Sequence, residues 1–93
     1  MKHDEQAAEK LLNSGLSALG IARSDLEGMK KSDDRKKAIA WLIRKNTSVK
    51  NQWIARALQM GNVATVSRGA GAVGAATSGS LVELKRVISE IND

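Results

Sequence analysis

Residues 47–68 read Thr47-Ser-Val-Lys-Asn-Gln-Trp-Ile-Ala-Arg-Ala-Leu-Gln-Met-Gly-Asn-Val-Ala-Thr-Val-Ser-Arg68. Val49, Trp53, Ile54, Ala57 and Leu58 recur at helical spacing, which predicts a helix from Val49 to about Gln59, capped by Thr47 or Ser48. Gly61 suits the left-handed conformation that ends a helix, and Asn62 suits the cap of the next. That second helix runs from Val63 to about Thr77, with Val63, Val66, Ala70 and Val73 on one side and Thr65, Arg68 and Ala72 on the other. A small residue where the helices cross (Ala55 or Ala57), aliphatics beside it (Ile54, Leu58), a flexible turn residue (Gly61) and an aliphatic in the second helix (Val66) follow the grammar of a helix-turn-helix. The turn is one residue longer than the commonest spacing.

Working outward, Ser32-Asp33-Asp34 places acids where the positive end of a helix macrodipole falls. The helix they start runs from Asp34 to Asn46, with Ala38, Ile39, Leu42 and Ile43 inward and Arg35, Lys36, Arg44 and Lys45 outside. Residues 34–77 thus form a helix-turn-helix core. An N-terminal helical segment spans 4–29: Ala8, Leu11, Leu12, Leu16 and Leu19 line one stripe, Gly20 stops it, and Ser24 caps a short turn ending near Gly28. A C-terminal helix over 81–91 carries Leu81, Leu84, Val87, Ile88 and Ile91 on one face. Gly69, Gly71 and Gly74 each cost about 1 kcal/mol of helix propensity relative to Ala, so the second half of their helix needs packing to stay formed.

Length and composition agree with this pattern. A chain of 93 residues allows one domain, here 1–93, and abundant Ala, Leu, Lys and Arg with no Pro favour an all-α fold, a small helical bundle. Without Cys or Tyr there is no thiol or phenolic nucleophile, no disulfide and no zinc ribbon. The single His3 supplies neither a metal pair nor a catalytic base, so no metal, cofactor or catalytic residue is expected, and the chain reads as a binding protein rather than an enzyme. No uncharged apolar run reaches the roughly 18 residues that cross a bilayer. Gly69-Ala-Gly71-Ala-Val-Gly74 spells the dinucleotide fingerprint G-x-G-x-x-G, but it follows a helix instead of a strand, so no small-molecule ligand is inferred from it. Trp41 and Trp53, the only aromatics, read as core residues rather than base-stacking platforms.

Charge is concentrated in the middle. Residues 30–70 hold ten Lys or Arg against two Asp, a net +8; residues 1–29 hold three basic against five acidic, and residues 71–93 two against three. A cationic segment between acidic flanks suits a polyanion, because each phosphate contact releases condensed counterions.

The stretch Lys31 to Arg68 resembles the C-terminal DNA-binding region of REP-associated tyrosine transposases. Trp53-Ile54-Ala55, Met60-Gly61 and Thr65-Val66-Ser67-Arg68 carry the likeness. More distantly, Ala40, Leu42, Ile54, Gly61, Thr65 and Val66 are arranged as in the Trp-repressor-like helix-turn-helix of the replication initiator DnaA. The resemblance implies a transposase-related DNA-binding module; with neither Tyr nor a His pair this chain departs from the family and lacks its catalytic domain, whether freestanding or excised, and it reads as cytoplasmic and associated with a bacterial nucleoid. It implies duplex or hairpin DNA as partner, contacted by Asn62, Thr65, Ser67 and Arg68 along the second helix. Arg68 would reach a guanine edge or a phosphate, and Thr65 and Ser67 would donate to phosphates. Lys45, Lys50 and Arg56 would clamp the flanking backbone. The competing reading is a protein-protein interaction module that forms a homodimer through its terminal helices, with the basic centre as a solvated face. Structured RNA is a third partner that charge alone does not separate from DNA.

Overall fold

Helix boundaries fall largely where capping residues put them. The computed structural model describes residues 2–92, and the side chains of residues 4–91; that of His3 lies outside them. It contains α1 (Lys2–Ala18), a 3-10 turn over Arg23–Gly28, α2 (Asp34–Asn46), α3 (Asn51–Ala57), α4 (Val63–Ala75), α5 (Ser80–Ser89) and a last 3-10 turn, Glu90–Asn92. The fold is all-α, with no strand among the described residues. Among those residues no helix is long and apolar enough to cross a membrane.

Helix α1 ends in a Schellman motif. Gly20 takes φ +70°, its N–H donates to the Ser17 carbonyl at 3.1 Å, and the Ile21 N–H donates to Leu16 at 2.9 Å. Asp33 caps α2, accepting the Arg35 N–H at 2.9 Å while the Arg35 guanidinium returns to the same carboxylate at 3.0 Å. Those Arg35 hydrogen bonds hold the Asp33 carboxyl below its ordinary pKa.

Helix α2 is the hub, packing against α1, α4 and α5 and touching α3. Leu12, Ile39, Leu42, Ile43, Ile54, Leu58, Met60, Val66 and Ile88 are wholly or almost wholly buried in one cluster drawn from every helix. Each large side chain in it contributes about 1.5–3 kcal/mol of burial. The apolar stripes of the terminal helices therefore face this core: Ala8, Leu12, Leu16 and Ile88 are buried inside the chain itself.

Several sequence expectations need correction. Lys36, read as an outside residue, is 1% exposed, because its stem lies in the core and its ammonium finds two carbonyls. Val63 and Val87, read as inward, are 48% and 40% exposed. The short turn is held by Asp25, whose carboxylate accepts the Ala22 N–H at 2.9 Å, rather than by Ser24. Helix α3 is shorter than expected because Thr47 closes α2: its hydroxyl donates to the Ile43 carbonyl at 2.9 Å, and Lys50 precedes α3 without a side-chain cap. α4 ends at Ala75, and α5 covers 80–89 rather than 81–91.

The glycine-rich half of α4 is continuous helix, packed mainly on α2, and the Lys85 ammonium of α5 donates to its Gly74 carbonyl at 3.0 Å. A Cβ at Gly69 would lie 2.7 Å from Lys37 Cγ, and one at Gly74 would lie 3.4 Å from Trp41 Nε1. Close approach to α2 explains these two glycines, while Gly71 has open space beside it.

Candidate nucleic-acid interface

The turn between α3 and α4 is built from backbone, and its register fixes where α4 points. Leu58 ends α3 in the right-handed region, and Gln59 takes φ +56°. The Met60 N–H donates to the Ala55 carbonyl at 2.9 Å, so Gln59 occupies the left-handed stop position expected of Gly61. Gly61 supplies a second positive φ, +93°. Buried Ile54, Ala55, Leu58 and Val66 fill the crossing as a helix-turn-helix requires, with Ala55 rather than Ala57 as the more deeply buried small residue.

Asn62 then starts α4. Its Oδ1 accepts the Thr65 N–H at 2.9 Å and the Thr65 hydroxyl at 3.2 Å. In the free chain the Thr65 hydroxyl hydrogen is thus engaged in the cap. Val66, Gly69, Ala70 and Val73 face inward. The opposite face exposes Ala64, Ser67, Arg68, Gly71, Ala72 and Ala75, so Arg68 is its one large side chain among small ones.

Cations stand on both flanks of that face. On one side Arg68, Thr65, Gly69 and Ala72 share a groove with Lys30, Lys31, Ser32 and Lys37. On the other, Ala70 and Gly71 border Arg44, Lys45 and Trp41. The Lys45 ammonium lies 4.9 Å and that of Lys85 5.5 Å from the Trp41 ring centre, which makes Trp41 a half-buried platform for cations. Arg56 and Asn62 meet near the start of α4, beside Gly61 and Val63. Lys50 and Arg56 share a further cleft with Asp4 and Glu5 of α1, an acidic neighbour that sequence order conceals.

The seven expected site residues therefore fall into separate places. Arg68 and Thr65 lie together, as do Lys50 and Arg56; Asn62 meets Arg56 at the start of α4, Lys45 stands on Trp41 beside Ala70 and Gly71, and Ser67 is exposed on the outward face. Lys30, Lys31, Arg44, Lys50, Arg56 and Arg68 have no acidic partner among the described residues, whereas Arg23, Arg35, Lys37 and Arg86 do. Lys30, Lys31 and Lys37 were not among the expected site residues. Their only sequence signal was membership of the basic segment, because the groove exists only once the connector before α2 folds onto α4.

Comparison with family models, with curated proteins and with solved structures returns no match.

Proposed function

We propose that this chain is a DNA-binding module that docks the outward face of α4 in the major groove of a duplex. The observation that carries the proposal is the pairing of that face, on which Arg68 is the one large side chain, with cations on both of its flanks, Lys30, Lys31 and Lys37 against Arg44 and Lys45. A major groove admits one helix and places a phosphate backbone on either side of it, so a slim helix between two cationic margins suits that shape. Ser67 and Arg68 are the exposed polar side chains on the face, and Arg68 meets a guanine edge or a phosphate. Lys45, Lys50 and Arg56 contact the flanking backbone. The likeness of residues 31–68 to the transposase DNA-binding region supports the same reading, as do six cations with no acidic partner among the described residues.

Binding of a duplex at several NaCl concentrations tests it. Replacing Arg68 and Lys50 together by Ala should weaken binding and lower the slope of log K against log salt by about 0.9 for each phosphate that is no longer neutralised. Unchanged affinity and slope would remove both residues from the interface.

A further inference from the structure

Lys36 is the most deeply buried charged side chain described, 1% exposed, and it belongs to no ion pair among the described residues. Its Nζ donates to the Met29 carbonyl at 3.3 Å and to the Gln59 carbonyl at 2.9 Å. Those acceptors lie in two segments distant in sequence: the connector that leads into Lys30 and Lys31, and the left-handed residue of the helix-turn-helix turn. A second contact joins the same segments. A Cβ at Gly61 would lie 2.9 Å from Lys31 Cδ, so the Lys31 stem rests directly on the turn. Lys30 and Lys31 themselves are exposed and line the groove that Arg68 borders.

We propose that Lys30 and Lys31 form a second phosphate grip across the groove from Arg68, and that Lys36 is the positioning residue that sets this grip against the turn. The proposal rests on the duplex-binding reading and extends it to a segment outside the helix-turn-helix. A mobile lysine pair gains little from one phosphate, because ordering it costs conformational entropy. A connector fastened at Met29 and propped at Gly61 carries both ammonium groups at a fixed distance from α4, so less is lost on binding. A lysine suits the fastening role because its stem fills core space while three donors at its tip reach separate carbonyls. Burial lowers the Lys36 pKa, with the Asp33 carboxylate opposing that shift.

The test uses a labelled random-sequence duplex at several NaCl concentrations, with the whole chain. Lys30→Ala with Lys31→Ala should lower the log-log salt slope by about 0.9 for each lysine. Lys36→Met keeps the buried stem and loses the fastening; it should lower the slope as much as the paired variant does. Adding the paired change to Lys36→Met should then lower the slope no further. A merely structural role for Lys36 reduces the folded fraction, and so the apparent affinity at every salt concentration, without changing the slope.

An unchanged slope in folded Lys36→Met, or additive losses in the triple variant, would overturn the positioning role. Should Lys36→Met not fold, the wild-type chain supplies the readout by NMR. Duplex should shift the amides of Lys30 and Lys31 with those of Gln59 and Met60 at one titration midpoint, and shifts at the lysines without the turn would overturn that role. Wild-type binding with an unchanged slope in the Lys30, Lys31 variant would overturn this proposal alone. No wild-type binding at all would overturn the duplex reading as well.

Discussion

Helix α3 has seven residues, starts after Lys50 with no side-chain cap and stops at a left-handed Gln59; α4 has thirteen, starts on an Asn62 cap and runs through three glycines. The two helices form one motif by different means. A helix as short as α3 is unstable alone in water, so its geometry is imposed by the core beneath Ile54 and Leu58 and by the Lys36 bond to its stop. Helix α4 begins with a local signal, and then holds its weak glycine half by lying close on α2. Because the turn is fixed from below and α4 from its start, the outward face of α4 is presented rigidly although neither helix has strong intrinsic propensity.

The comparison can be broken at its core first. Ile54→Ala should cost about 2–5 kcal/mol in urea unfolding, since Ile54 is the fully buried large side chain of α3. A loss under about 1 kcal/mol would mean that α3 is held by something other than burial. The helix starts give a smaller contrast. Asn62→Ala should cost about 1 kcal/mol, while Lys50→Ala at the uncapped start of α3 should stay within about 0.5 kcal/mol of wild type. Equal effects at the two starts would remove the distinction.

The glycines of α4 sharpen it further, with opposite signs expected. Gly71→Ala meets nothing within 4 Å and should gain up to about 1 kcal/mol of stability. Gly69→Ala would set a methyl against Lys37 Cγ, near the fixed end of that side chain, and should lose stability. Thermal melts of the two variants decide this; a gain at both would show that α4 does not depend on close contact with α2.

Much of this architecture was legible in the residues because it is local. The acids before α2, the Asn62 cap, Gly20 as the stop of α1 and the all-α class each depend on neighbours within one helical turn. What was misread depends on tertiary partners. Lys36 follows the polar side of its helix in sequence, and only the arrival of the Met29 and Gln59 carbonyls gives its ammonium a buried position. Thr47 has the composition of a cap for α3 and instead closes α2. Glycine adopts positive φ most readily, which favours Gly61 as the helix stop, yet Gln59 takes that position and Gly61 serves the next bend, under the Lys31 stem. Of the candidate site, the outward position of Arg68 was legible from helix periodicity, and Ser67 came from the resemblance. The groove with Lys30, Lys31 and Lys37 was not, since its walls come from three segments.

The most direct measurement is a titration of the labelled wild-type chain with duplex DNA, followed by amide NMR shifts. The account predicts that the largest shifts fall on the outward face of α4, at Ala64, Ser67, Arg68 and Gly71, with lesser ones at Lys45 and Lys50. Largest shifts in α1 or α5, with α4 unmoved, would contradict it.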